Sequence, residues 1–156
     1  WVDGELLPWQ RDHIATTAHL VALRAEHAVL RPSSFFRGAP HDGDPASEPD
    51  LMWFDAAGTP VSHEQWHDPA VRVLQMLRTV PGTGSCRSAL LVVNGALDVA
   101  EVTVAPGAAG AWELAWDSTW ENPDEASSSE NNGGAAPEAG ATLWLEPLSM
   151  RLYLSR

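Results

Sequence analysis

Short apolar segments with a period of two follow one another from residue 51 to the end of the chain, and this repeat constrains the fold most strongly. Residues 112–117 read Trp-Glu-Leu-Ala-Trp-Asp, an alternation typical of a strand with one buried face. Turn-forming residues separate further apolar segments at 51–54, 90–93, 102–104, 143–145 and 150–154. Six or seven short antiparallel strands of this kind predict a mainly β fold, an antiparallel β-sandwich.

The alternation also predicts how the last strand is oriented. Its apolar residues are expected to face the core and its other residues to face solvent: Met150, Leu152 and Leu154 inside, Arg151, Tyr153 and Ser155 outside.

Two local patterns bear on how the strands are joined. Asn94-Gly95 is typical of tight hairpins, because both residues tolerate positive φ. Residues 71–77 leave two interpretations open. They form either a helix that begins at Asp68-Pro69 or a strand buried on both faces, because Val71 and Val73 are β-branched.

One amphipathic helix is predicted before the strands, from Arg11 to Ala28. This segment contains no Gly or Pro, and Pro32 stops the pattern after it. Apolar residues recur at three- and four-residue steps and share one helical face: Ile14, Ala18, Val21, Ala22, Ala25 and Val29. Residues 38–50 and 121–140 are rich in turn-forming and polar residues, so we expect flexible loops there.

The charge of the chain excludes some partners. The formal net charge is −12, with nine arginines and no lysine, so nucleic acid and anionic membranes are not expected to bind. No stretch is long and apolar enough to span a membrane.

Cys86 is the single cysteine and has no internal disulfide partner, which suits a reducing cytoplasm. The chain begins at Trp1 without an initiator methionine, so we expect it to be part of a larger protein.

Residues 63–67 read His-Glu-Gln-Trp-His and match H-E-x-x-H, the zinc metalloprotease signature. That chemistry needs His63 and His67 on one helical face, with Glu64 as general base and a third ligand. Pro60 and Pro69 limit the helix to one or two turns, and no third ligand follows at the extended spacing. Ser62 with Gln65 fits a capping box. We therefore predict a capped surface turn without metal or cofactor, and a zinc hydrolase is a remote alternative.

Eight tryptophans are a high number for 156 residues. Those in strand-like segments are predicted to be core residues: Trp53, Trp112 and Trp116. Those outside the strands are candidates for exposed roles: Trp1, Trp9, Trp66 and Trp120. Because an indole face stacks well on a sugar ring, an α-glucan-binding module is an alternative function.

Three stretches resemble the C-terminal region of isoamylase-type glycogen debranching enzymes of the α-amylase superfamily. Residues 20–31, LVALRAEHAVLR, resemble the family's L-I-x-L-R-x-x-H-P-x-L-R at the last barrel helix, and the opening WVD resembles S-W-x-D-W before it. Residues 52–69, MWFDAAGTPVSHEQWHDP, resemble W-L-x-P-D-G-x-E-M-T-x-E-D-W-x-D-P. Residues 90–94, LLVVN, resemble the strand L-L-L-L-x-N-A.

The resemblance implies a last barrel-type helix over 1–32 and a C-terminal β-sandwich over 33–156. In the family, two aspartates and a glutamate on a (β/α)₈ barrel hydrolyse α-1,6 branch linkages of glycogen or limit dextrin. Those motifs lie upstream of the segment that Trp1 resembles, so no catalytic residue is expected in this chain. The resemblance also implies that 71–77 is a strand and that the H-E-x-x-H match is a coincidence.

The function implied is structural support of a catalytic barrel, in the cytoplasm, with that barrel as the partner. Glycogen or maltooligosaccharides are further expected ligands, and the candidate substrate-binding residues are Trp1, Asp3, Trp66 and Trp120. Without the barrel, the helix exposes its apolar stripe, so a homodimer through that helix is also expected.

Overall fold

Short strands make up most of the regular structure in the computed structural model, which describes residues 5–40, 48–81, 86–107, 112–123 and 137–155. In chain order the elements are helix α1 (Pro8–Glu26), a 3₁₀ turn (Ala28–Leu30), β1 (Leu51–Phe54), helix α2 (His63–His67), β2 (Val73–Thr79), β3 (Ser88–Asn94), β4 (Ala100–Thr103), β5 (Trp112–Asp117), β6 (Thr142–Leu145) and β7 (Ser149–Ser155). The predicted mainly β fold with one preceding helix is confirmed.

The strands form two antiparallel sheets. The main sheet has five strands in the order β1-β2-β3-β7-β5, and β4 pairs with β6 in a two-stranded sheet. Residues paired across the main sheet share a face, and one such row crosses all five strands: Phe54, Gln75, Val92, Arg151 and Asp117. The small sheet covers this face, which we call the inner face, and the helix packs on the opposite, outer face.

The larger core lies between the two sheets. Its buried members come from the inner face and from the small sheet with the residues that follow β4: Phe54, Leu77, Leu90, Val92, Val102, Val104, Ala105, Trp112, Leu145 and Tyr153. A smaller cluster lies under the 3₁₀ turn, where Val29 contacts the outer face at Ala89 and Leu154. Apolar burial on both faces of the main sheet therefore holds three layers together.

The orientation predicted for β7 is wrong. Tyr153 is 3% exposed and belongs to the core between the sheets, whereas Met150 is 37% exposed on the outer face. Leu152 and Leu154 lie against the helix side. The prediction assumed that only one face of β7 is covered. Both faces are covered, so the polarity of its side chains does not identify which of them lie in the core between the sheets.

A β-bulge changes the predicted arrangement of β5. Leu114 pairs with Tyr153, but Trp116 pairs with Leu152, so the register shifts between them. Trp112 and Leu114 consequently point to the inner face, while Trp116 lies on the outer face. The prediction that Trp112 is a core residue is confirmed, at 1% exposure.

Asn94-Gly95 does not form the predicted hairpin. Neither residue has positive φ, and β3 pairs with β2 and β7 rather than with β4. The Asn94 side chain instead donates to the carbonyls of Asp98, Leu145 and Glu146 and accepts from the N–H of Ala96. This buried amide organises the longer connection to the second sheet.

Helix α1 begins three residues earlier than predicted and ends two residues earlier. Pro8 occupies its first position, where its fixed φ suits a helix, and Gln10 Oε1 accepts the N–H of Leu7. Most of the predicted apolar stripe, including Ile14 and Val21, faces away from the sheet, whereas Val29 at its end is buried against the sheet and Leu23 packs beside Val29. In the described part of the chain, no helix has the length and hydropathy of a membrane span.

Residues 73–79 form strand β2, which settles the two interpretations of the 71–77 segment in favour of the strand. Three of its inner-face residues, Gln75, Leu77 and Thr79, are buried, and the remaining residues of the strand are half-buried. Most of the two predicted loops, at 41–47 and 124–136, lies outside the described residues.

Candidate functional site

The two candidate substrate-binding residues that the structure describes, Trp66 and Trp120, lie far apart. Trp66 is on α2 beside β1, and Trp120 follows β5, so they flank opposite edges of the main sheet. Four inter-strand spacings of about 4.8 Å separate those edges by about 19 Å. Trp120 is half-buried, whereas Trp66 is 48% exposed. Trp1 and Asp3 lie outside the described residues. Trp66 is therefore the more exposed of the two described candidates and the better placed to contact a ligand.

A tight turn after β1 leads into helix α2, which carries Trp66. Gly58 has φ +74, and a Cβ there would lie 3.0 Å from the carbonyl oxygen of Thr103, so glycine suits the position for two reasons. Asp55 Oδ1 accepts the N–H groups of Ala57 and Thr59, both at 2.9 Å. These bonds close a turn over residues 55–58, and Asp55 is its organising side chain.

Helix α2 is fixed to this turn by its own cap. Ser62 Oγ accepts the N–H of Gln65, and Gln65 Oε1 accepts the N–H of Ser62, so the predicted capping box is confirmed. Gln65 Nε2 also donates to Asp55 Oδ2 at 2.9 Å. This bond joins the helix to the turn, and neither residue was among the candidates read from the sequence, although the capping box singled out Gln65.

The same contacts stabilise the ionised form of Asp55. Partial burial by itself raises the pKa of this carboxyl group, but the hydrogen bonds from Gln65, Thr59 and Ala57 outweigh it and hold the pKa below its ordinary value. Asp55 is therefore charged at neutral pH and keeps α2 in place.

Trp53 and Trp66 meet edge to face on this scaffold. Their ring centroids are 5.4 Å apart and the planes are inclined at 81°, the geometry that aromatic quadrupoles favour. Trp53 was predicted to be a core residue but is half-buried on the outer face of the sheet. We call Trp53, Trp66 and the adjoining His63 and His67 the Trp66 site. A half-exposed indole held in a fixed orientation is able to stack on an apolar or sugar surface.

The two histidines of the H-E-x-x-H match also lie here. The rings of His63 and His67 are 4.7 Å apart, and both residues are exposed on a helix of five residues. Among the described residues, no group of three or more His, Cys, Asp or Glu side chains is arranged to hold a metal ion. The local geometry supplies two imidazoles on a short surface turn and no closed coordination sphere.

No protein-family model and no curated protein sequence matches the chain. Among solved structures, the chain is similar to trehalulose synthase MutB from Pseudomonas mesoacidophila MX-45 and to a MutB mutant in complex with sucrose, each at 21% identity with a TM-score of 0.45. Each match covers 88% of this chain and 17% of the solved chain, so the chain spans under a fifth of those proteins.

Proposed function

We propose that this chain is the non-catalytic C-terminal domain of a glycogen debranching enzyme of the isoamylase type. The catalytic barrel of that enzyme would hydrolyse α-1,6-glucosidic branch linkages, and this domain would pack on the barrel and stabilise it. The observation that carries the proposal is an apolar surface left uncovered on the outer side of the main sheet.

Helix α1 contributes the more exposed half of this surface. Ile14 and Val21 are 53% and 62% exposed, and they lie on the side of the helix opposite Leu23, which packs on the sheet. An amphipathic helix normally buries its apolar stripe. A helix that exposes apolar side chains while it is docked on a sheet suits a position between two domains.

The main sheet contributes the other half. Its outer-face residues away from the helix are half-buried or exposed, and they are apolar: Leu74, Met76, Leu91, Val93 and Met150. Grouped apolar residues on a surface mark a site that another protein surface covers. A catalytic domain of the same protein is the partner that the sequence motifs favour.

The motif over residues 52–69 supports the same assignment. Its glycine has a left-handed conformation at Gly58, and its two tryptophans contact each other as Trp53 and Trp66. The Asp68-Pro69 pair precedes β2, and Asp68 Oδ1 accepts the N–H of Ala70. Trp53, Gly58, Trp66 and Asp68 therefore each have a structural reason that requires neither metal nor catalysis.

The isolated chain is expected to self-associate through α1, because no other domain covers its apolar side. Light scattering coupled to size exclusion should show a dimer or larger species at high concentration. The double substitution Ile14→Glu with Val21→Glu should return the protein to a monomer, since buried unpaired carboxylates oppose association. Leu97→Glu, at a residue 79% exposed on the loop before β4, is the matched control and should leave the association unchanged.

Two outcomes would contradict the proposal. A wild-type chain that stays monomeric at all concentrations would remove the argument from the apolar surface. Release of linear oligosaccharides from glycogen or limit dextrin by the pure chain would show that it is catalytic by itself.

A second candidate function is α-glucan binding at the Trp66 site. The rigid edge-to-face support of Trp66 by Trp53 favours it, because a pre-oriented ring loses little entropy when it stacks on a sugar.

Trp66→Ala is expected to abolish the quenching of tryptophan fluorescence by millimolar maltoheptaose. Trp120→Ala should retain most of the quenching, because Trp120 is half-buried at the opposite sheet edge. Trp144, which is 60% exposed on β6, provides a matched control as Trp144→Ala. Equal quenching in wild type and Trp66→Ala would exclude this function for the Trp66 site.

A further inference from the structure

The phenyl ring of Phe35 is almost fully exposed, at 96%. Phe35 also lines a cavity of about 390 Å³, which lies between the segment that follows the 3₁₀ turn and the end of β2. That volume suits a small molecule. The next residue, Phe36, is half-buried and packs its ring against the guanidinium group of Arg78. An exposed aromatic ring beside a concave surface is able to cover a ligand held there.

The segment that carries Phe35 is held on both sides. Before it, Arg31 Nε donates to a backbone carbonyl at the end of α1 at 3.1 Å. After it, the carboxylate of Asp50 accepts the N–H of Arg37 at 2.9 Å and the N–H of Gly38 at 2.8 Å. Asp50 directly precedes β1, so these bonds tie the segment to the main sheet. A site whose backbone is fixed in advance loses little conformational entropy when a ligand binds.

The charged residues of the cavity exclude most ionic ligands. Arg31 and Asp50 are the only ionisable residues in its lining, and their charges are opposite. An anion would be attracted by the first and repelled by the second, and a cation would experience the reverse. The cavity therefore favours a ligand without net charge.

The rest of the lining is both apolar and polar. Phe35, Phe36 and Val80 provide apolar surface, and the exposed Ser33 and Ser34 provide hydroxyl groups. A sugar ring has the matching character, because its C–H faces are apolar and its hydroxyls donate and accept hydrogen bonds. A purely apolar ligand would leave the serines unused and would desolvate the charged residues at a cost in free energy.

We propose that this cavity binds a neutral sugar ring, such as a glucose unit of a maltooligosaccharide, with the ring stacked on Phe35. The hydroxyl groups of Ser33 and Ser34 and the guanidinium group of Arg31 form hydrogen bonds with the sugar hydroxyls. The cavity shares no residue with the Trp66 site, and the proposal does not depend on the function proposed above.

Saturation-transfer difference NMR with maltose tests the site. All measurements use the full chain with Trp66→Ala, so that binding at the Trp66 site does not contribute. Maltose should bind with a millimolar Kd, and Phe35→Ala should weaken the binding about tenfold, because it removes the stacking surface. Leu97→Ala is the matched control: it removes an apolar side chain that is 79% exposed on the loop before β4, and maltose binding should be unchanged.

Two further measurements test the cavity itself. Ser34→Trp keeps Phe35 and places a large side chain at an exposed position of the lining, so it should block maltose binding while the circular dichroism spectrum stays that of the parent chain. Cyclohexanol, a neutral ring with a single hydroxyl group, should bind more weakly than maltose. Equal binding of cyclohexanol would show that the cavity recognises apolar surface and not a sugar. Absence of maltose binding, or equal weakening by Phe35→Ala and Leu97→Ala, would overturn the site.

Discussion

Trp112→Ala is expected to lower the free energy of unfolding by about 3–5 kcal/mol, the range for truncating a buried aromatic side chain. Trp112 is 1% exposed and lies in the core between the two sheets. Its indole nitrogen has no hydrogen-bond partner among the described residues, so the loss comes from apolar packing and from the cavity left behind. Denaturant unfolding followed by far-UV circular dichroism measures the change.

The contribution of burial can be separated from that of the residue type. Trp144→Ala removes the same side chain from a position that is 60% exposed on β6, and it should change stability by about 0.5 kcal/mol or less. Trp112→Phe keeps an aromatic ring and should fall between the two. If Trp112→Ala is no more destabilising than Trp144→Ala, the described core between the sheets is wrong.

The sequence pattern predicted strands well where one face is covered and poorly where both are. Trp112 was correctly assigned to the core, but Tyr153 and Met150 were assigned to the wrong faces. On β7 the helix covers one side and the small sheet covers the other, so apolar residues point to both faces of the strand. The bulge between Leu114 and Trp116 moves Trp116 to the opposite face of the sheet, which a strict period of two does not predict.

Helix α1 illustrates a different limit. Its apolar period correctly predicted a helix, but the period identifies a stripe and not what covers it. Ile14 and Val21 belong to that stripe and face outward, while Leu23 contacts the sheet. Whether another part of the protein buries the apolar face of a helix depends on the whole assembly, and the local sequence pattern does not show it.

For the candidate site, sequence reasoning identified single residues more successfully than their arrangement. Trp66 is exposed as expected, and the capping box of α2 is present. The bond from Gln65 to Asp55 joins residues ten positions apart, and the contact of Phe36 with Arg78 joins residues much further apart. Such contacts depend on strand order, which the apolar pattern leaves undetermined.

Gln75→Ala is the second substitution with a large expected effect. Gln75 is fully buried on β2. Its Nε2 donates to the carbonyls of Asp55 and Thr103, both at 2.8 Å, and its Oε1 accepts the N–H of Ala105 at 2.9 Å. One side chain thus joins the main sheet, the β1 turn and the second sheet. Its removal leaves the carbonyl of Thr103 and the N–H of Ala105 without these partners, and each unsatisfied group costs about 1–3 kcal/mol. The carbonyl of Asp55 loses one of two donors and keeps the N–H of Gly58.

A total loss of about 3–5 kcal/mol is expected in denaturant unfolding, since such costs overlap and do not add fully. Gln75→Met keeps the volume while it removes the hydrogen bonds, so it should retain most of the loss. Glu101→Ala, at an exposed position on β4, should change stability by about 0.5 kcal/mol or less. If Gln75→Met is as stable as wild type, the amide network contributes nothing, and packing alone holds the second sheet in place. If it is destabilised and the Trp66 emission shifts as well, the network also positions α2, because the carbonyl of Asp55 would have lost one of its two donors.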